Sequence, residues 1–184
     1  MELTAVQPIR QRKVLFRPLS VVLPAGKITV LMGESGVGKT SLIEAICGNI
    51  SYKGTIDKNK DYFRVYQETD QLFPWMSVRE NLELANNKVD WNKLAKQLKL
   101  EDKLDVYPSC ISVGQRQRLT LLRAIYSGRS VLMCDEPLSG VDKTTAESIC
   151  KEFKKYVKKT KMRVLWVTHN SQEANLLGKV VVLK

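Results

Sequence analysis

The run GESGVGKT at residues 33–40 places three glycines, a lysine and a hydroxyl side chain in the order G-x-x-x-x-G-K-[ST]. Glycine admits backbone angles that turn successive N–H groups toward one point. A helix starting at the lysine aims its positive end at the same point, and the lysine adds a charge there. This is chemistry for holding a chain of phosphates. Gly33, Glu34, Ser35, Gly36, Val37, Gly38, Lys39, Thr40 and Ser41 make the cradle, with Lys39 near the β- and γ-phosphates of a nucleotide and the Thr40 hydroxyl offered to Mg2+. A second run, VLMCDEP at residues 131–137, carries four apolar residues through a core and delivers two carboxylates at the strand's carboxyl end. That edge is where open α/β sheets bind ligands. Asp135 is placed to hold the Mg2+ shell through water, and Glu136 to polarise an attacking water as general base.

Such groups need a scaffold that brings them together, and the apolar pattern supplies one. Short β-branched runs at 28–32, 64–66, 131–134, 164–168 and 180–183 alternate with helix-length segments at 39–47, 78–85, 91–98, 112–127 and 144–159. A short helix opens at Asn170, where Glu173 three residues on resembles a capping box. This alternation predicts an α/β fold: a parallel sheet wrapped by helices. Runs at 14–16 and 21–23, separated by Pro18, read as an antiparallel flap at its edge.

At 184 residues the chain is one domain, and its 43% hydrophobic and 27% charged content exclude disordered, collagenous and fibrous classes. No apolar run approaches the roughly 18–20 residues of a membrane span. The N-terminus has no apolar block behind its charges, so a cytosolic protein is expected. Cys47, Cys110, Cys134 and Cys150 lie far apart with a single histidine in the chain, which argues against structural zinc and for reduced thiols. The net charge of +11 is concentrated at residues 10–17 and 151–163. A basic surface can serve nucleic acid, lipid headgroups or a phosphorylated ligand. Here Ile149, Phe153 and Val157 recur at helical spacing, leaving Lys151, Lys154, Lys155 and Lys158 on the wet side of an amphipathic helix.

Further runs fall in a fixed order around the two motifs. YQETDQLFPWMSVREN carries Gln67 at a strand end, ISVGQRQRLTLLRAI spans 111–125, LSGVD spans 138–142, and VTHN surrounds His169. Together the six resemble the ATP-binding cassette ATPases: Walker A, glutamine loop, signature, Walker B, aspartate loop and switch histidine. The resemblance covers about residues 14–183. It implies the P-loop sheet core with an antiparallel edge subdomain and a small helical insertion at about 68–111, within a single 1–184 domain. It also implies that ATP and Mg2+ are bound. Gln67 would bridge the metal and the attacking water, and His169 would donate to the γ-phosphate. Ser112, Gly114, Gln115 and Asp142 would complete the site of a second subunit, since the signature helix cannot reach its own loop. Two ATP molecules would then be sandwiched in a dimer that closes on binding and opens on hydrolysis. The helical insertion would dock on a separate membrane permease, with a solute-binding protein acting indirectly and apolar residues 72–76 as anchor. The resemblance is greatest to importers of nitrate, sulfonates, taurine or thiamine-type solutes, acting at the inner face of the cell membrane with no nucleic-acid partner. A soluble ATPase working on nucleic acid is the second reading, and a small-molecule kinase, lacking signature and aspartate loop, the third.

Three departures stand out. Val113 occupies the place of the signature's first glycine. Residues 7–13 lack the aromatic that stacks on adenine, which leaves Arg10 or Arg12 for the base. Past His169 the sequence continues for 15 residues, too few for the regulatory domain some importers append.

Overall fold

The computed structural model describes residues 1–57, 61–66, 71–97 and 100–183, with the side chains of 94 and 97 outside that description. In chain order the elements are β1 (Glu2–Arg10), β2 (Lys13–Val14), β3 (Leu19–Val22), β4 (Ile28–Met32), α1 (Lys39–Cys47), β5 (Tyr52–Ile56), β6 (Tyr62–Val65), α2 (Val78–Glu83) and α3 (Trp91–Gln97). There follow α4 (Val113–Tyr126), β7 (Val131–Asp135), α5 (Lys143–Thr160), β8 (Arg163–Val167), α6 (Ser171–Leu177) and β9 (Lys179–Val182), with single 3-10 turns at Glu101–Lys103 and Pro108–Cys110.

The central sheet is parallel, in the order β6-β7-β8-β4-β9. Its strands are apolar on both faces, as sheets covered on both sides require. Val30, Leu132, Cys134, Val164 and Trp166 point into the core shared with α4, α5 and α6. Their neighbours Leu31, Val131, Met133, Leu165 and Val167 face the other way, into a core shared with α1 and the antiparallel sheet. Period-two alternation inside one continuous apolar run therefore feeds two cores at once. On α5, Ile149, Phe153 and Val157 are buried while Lys151, Lys154, Lys155 and Lys158 are exposed, so the basic run is the wet face of an amphipathic helix.

The antiparallel sheet differs from expectation. Lys13–Val14 and Leu19–Val22 do not pair with each other; both pair with β1, and β5 pairs with its other edge. The sequence pattern misses β1 because a bulge at Ala5, with φ of 51°, shifts its period: Leu3 and Val6 are both fully buried though three residues apart. Gly54 opposite, at φ of +90°, makes the bulge possible, because a Cβ there would strike the Ala5 carbonyl. Phe16, expected within a strand, lies outside one. It is buried beneath Gly38 of the phosphate loop, where a glycine Cβ would come within 3.1 Å of its ring.

A third core joins the segment from Leu72 to Ile111 to the outer side of α4, through Leu72, Val78, Leu82, Trp91, Leu100, Leu104, Leu119 and Leu122. Ser77 and Glu80 close a full capping box on α2. The fully buried Asn81 amide holds the preceding loop, donating to the carbonyls of Phe73, Met76 and Ser77 and accepting from the Phe73 N–H at 2.7 Å. That loop leaves Trp75 71% exposed while Leu72 is buried. Within residues 72–76, then, Leu72 belongs to the helical core and Trp75 faces outward.

Candidate functional site

Strands β7, β8 and β4 are neighbours, so the loops leaving their carboxyl ends converge. The loop after β4 wraps into α1 through Gly38, whose φ of 105° only glycine takes without strain. Glu34, Ser35 and Gly36 are exposed, Gly33 and Val37 half-buried, and Ser41 buried at the first turn of α1. The Lys39 ammonium is buried inside this loop, donating to the carbonyls of Gly33 at 2.9 Å and Glu34 at 2.8 Å. It lies 4.0 Å from Glu136 Oε1. On the far side, Glu136 Oε2 meets His169 Nδ1 at 2.9 Å. The Glu136 carboxylate is thus set between the loop lysine and the histidine that follows β8. Its own backbone has a φ of 47°, a left-handed conformation uncommon outside glycine, held by an N–H bond of 3.0 Å to the Val167 carbonyl.

Thr40 Oγ1 donates to Asp135 Oδ1 at 3.3 Å, bringing the hydroxyl of α1 against the last residue of β7. Burial pushes the Asp135 carboxyl above its ordinary value, and the Thr40 hydroxyl and the Arg64 guanidinium only partly offset this. A hydroxyl beside a carboxylate is a hard oxygen set of the kind Mg2+ prefers. Among the described residues no cluster of three His, Cys, Asp or Glu could by itself hold a metal. The fit is therefore to an ion that takes its remaining ligands from phosphate oxygens and water.

The signature residues sit elsewhere. Ser112 and Gln115 cap α4 reciprocally: Ser112 Oγ accepts from the Gln115 N–H at 3.3 Å, and Gln115 Oε1 from the Ser112 N–H at 2.9 Å. Asp142 caps α5, accepting from the Thr145 N–H at 3.0 Å, and hydrogen bonds from Thr145 hold its carboxyl below the usual range. Gln117 donates to the Ser139 carbonyl at 2.8 Å and locks the two helix starts together. Ser112, Val113, Gly114, Gln115, Asp142 and Arg118 are among the residues lining a concavity of about 670 Å3 that contains none of Lys39, Asp135, Glu136 or His169. Val113, the first residue of α4, is 41% exposed in that concavity. The structure thus separates the expected residues into two constellations. Gln67 lies outside the described residues.

Two findings depart from the sequence reading. Asn170 does cap α6, accepting from the N–H groups of Gln172 and Glu173, but Glu173 does not return the bond. Its buried carboxylate accepts from Trp166 Nε1 at 3.2 Å instead, so the capping box is not formed. The motifs also gave no place to Arg64, which is buried beside Asp135 and paired with Glu44 of α1. A charge inside the apolar strand run YFRV was the signal for it.

A phosphate loop between strand and helix, with two carboxylates delivered by a parallel strand one place removed in the same sheet, defines a P-loop nucleoside triphosphatase. The chain belongs to the ABC transporter family, as an ATP-binding and ATP-hydrolysing subunit: the ABC transporter profile matches residues 16–139. It is 30% identical to the aliphatic sulfonates import ATP-binding protein SsuB 1 of Paracoccus denitrificans over 174 residues, 90% of this chain and 72% of that protein. It is 36% identical to the sn-glycerol-3-phosphate import ATP-binding protein UgpC of Vibrio cholerae over 181 residues, 86% of this chain but 48% of that longer protein. Among solved structures, an ABC transporter ATP-binding protein from Pyrococcus furiosus superposes with a TM-score of 0.83, covering 99% of this chain and 96% of the other at 17% identity, a likeness of fold.

Proposed function

We propose that two copies of this chain sandwich two ATP molecules and use their hydrolysis to drive a separate membrane permease that imports a small solute. The observation that carries this reading is the Glu136 carboxylate, held between Lys39 at 4.0 Å and His169 at 2.9 Å. A carboxylate so placed can take a proton from water attacking the phosphate that Lys39 binds, and His169 can hold that phosphate or the leaving position. Thr40 and Asp135 would hold Mg2+, which supplies charge stabilisation of the phosphates and a template for their geometry. Gln67 would orient the water.

The second constellation supports the dimer. Ser112, Gly114 and Gln115 form a helix start, a ready anion site, in a concavity apart from the phosphate loop of the same chain, with Asp142 beside it. A second copy would bring that helix start to the γ-phosphate. ATP then favours the closed dimer by contacts that ADP cannot make. The exposed Trp75, next to Phe73 at a centroid distance of 5.3 Å, is the kind of aromatic anchor a permease loop would receive. No helix among the described residues is long and apolar enough to cross a membrane, so attachment to the inner membrane face would come through the permease. The relatives' names span sulfonate and glycerol phosphate import, and the nearest class of cargo is a small anion chosen by the permease and a solute-binding protein.

Glu136→Gln should lower turnover by about 10²–10⁴-fold while ATP stays bound. In sedimentation that variant should be monomeric without nucleotide, dimeric with ATP and Mg2+, and monomeric with ADP; adding Ser112→Arg should prevent the dimer. Normal turnover by Glu136→Gln would end the general-base assignment, and a monomer under all three conditions would favour a kinase-like role.

A further inference from the structure

Arg64 is 8% exposed, near the end of β6, and its guanidinium faces three groups. The closest is the Glu44 carboxylate of α1, in direct ion-pair contact. Asp135 Oδ2 is 3.5 Å from Nη2, a second and longer ion-pair contact. The Tyr66 ring covers the guanidinium face with its centroid at 4.2 Å. The Nε atom is buried without a partner, so the fork is committed at its outer nitrogens alone. Glu44 is steadied from its other side by the Asn49 amide. The Arg64 backbone is fixed as well: Gln71 donates to its carbonyl at 2.8 Å and accepts from the Tyr66 N–H at 3.0 Å.

One immobilised cation therefore stands between two carboxylates, and its closer contact is with the one that does not face the phosphate loop. The choice matters because a guanidinium shared fully with Asp135 would neutralise the charge that attracts a divalent ion. Burial would raise the Glu44 carboxyl, but the bonds from Arg64 and Asn49 outweigh it and hold the group below its ordinary value, so the partner that restrains Arg64 is reliably ionised.

We propose that Glu44 restrains the Arg64 guanidinium to a long contact with Asp135 and thereby keeps the Asp135 carboxylate available to Mg2+, making Glu44 a remote positioning residue for the metal. This rests on the reading of Thr40 and Asp135 as the Mg2+ ligands. Without Glu44, the nearest anion left to Arg64 is Asp135, and the two cations compete for it.

The test is the Mg2+ dependence of ATP binding by the full chain, measured beside ATP affinity in EDTA. Glu44→Gln preserves volume and an acceptor for Asn49 but frees Arg64. It should raise the half-saturating Mg2+ concentration about tenfold, the scale of one charge-assisted hydrogen bond, as the long Arg64–Asp135 contact tightens, while affinity in EDTA stays within about twofold. Adding Arg64→Met removes the competitor and should bring the Mg2+ dependence of the double variant back to within about threefold of wild type. A purely structural role predicts the reverse, a double variant worse than either single one. Glu44→Gln with wild-type Mg2+ dependence, or no recovery on adding Arg64→Met, overturns the proposal. Asp135→Asn separates the two claims: if it too leaves Mg2+ dependence unchanged, the metal-site reading itself is wrong.

Discussion

The two constellations are built on opposite principles. Around the phosphate loop, groups from four elements are brought against one another: Lys39 and Thr40 from α1, Asp135 and Glu136 at the end of β7, His169 after β8 and Arg64 from β6. Lys39, Asp135 and Arg64 are buried, and each of the six meets another across a distance in sequence of tens of residues. At the signature, Ser112 with Gln115 and Asp142 with Thr145 satisfy one another within three residues, at the rim of an open concavity. Capping is complete there without long-range help, yet a bound phosphate would find a helix start and no general base. The first constellation needs the tertiary fold to exist; the second is made by contacts within a few residues.

The sharpest way to break this comparison is complementation. Lys39→Ala should lower ATP affinity about 10–100-fold, the cost of a charged contact, and silence turnover. Ser112→Arg should leave ATP binding by the monomer intact and silence turnover through the partner. Mixed in equal amounts, the two inactive variants should recover turnover, up to about half of wild type if the two sites work independently, since each mixed dimer holds one intact composite site of two. Phosphate release from the mixture decides it. If each half served its own chain, the mixture would stay inactive.

The same contrast explains what the sequence could and could not tell. The signature half was named from its resemblance alone; the bonds that build it, Ser112 with Gln115 and Asp142 with Thr145, are local ones between residues three apart. The phosphate loop was readable as a motif, and strands β4, β7 and β8 as apolar runs feeding two cores. Arg64 and Glu44 were not, because their meaning lies in contacts between α1, β6 and β7 that no spacing encodes. Strand β1 was hidden by the bulge at Ala5, which breaks the alternation from Leu3 to Val6, and β5 by the exposed positions around Gly54. Glu173 looked like half a capping box because its spacing from Asn170 is right. Its partner is decided instead by Trp166, seven residues back and across the core.

Within the phosphate-loop half the grip on the two ends of a nucleotide should differ. The triphosphate end meets the loop and Lys39, but Phe16, the nearest aromatic by sequence, is buried under Gly38 and closed to stacking. What remains is the tip of the β1–β2 hairpin, where Gln11 and Arg12 take left-handed backbone angles and Arg10 is close enough to α1 for its charge to reach Glu44. A guanidinium stacks on any purine, with roughly 0.5–1 kcal/mol of attraction at an exposed site, and carries no pattern specific for adenine. GTP should therefore bind within about tenfold of ATP, a difference of ~1.4 kcal/mol. Arg10→Ala should weaken both together by a few-fold. Titration of the two nucleotides against both proteins checks this, and a preference for ATP well beyond tenfold would mean that another group reads the base.

The smallest expected effect separates the halves by their buried carboxylates. Glu173 lies behind the phosphate-loop half, where burial raises its carboxyl above the ordinary value despite hydrogen bonds from Trp166 and Thr168 and the field of His169. A carboxyl whose folded value is raised binds its proton more tightly in the native state. Its contribution to stability is fully present below the unfolded value of about 4.3 and is lost as pH rises through the folded value. Glu173→Gln removes that loss while keeping an oxygen for the Trp166 N–H. The stability of the variant relative to wild type should accordingly rise with pH from about 4 toward neutrality and then level. Asp142→Ala, at the signature, should slope the other way. Its carboxyl is held below the ordinary value, so the stability lost with it is present above the unfolded value and vanishes as pH falls. Denaturant unfolding of the two variants and wild type across that range reads both slopes. Parallel pH profiles for the two variants would show that the halves do not differ in how their carboxylates are held.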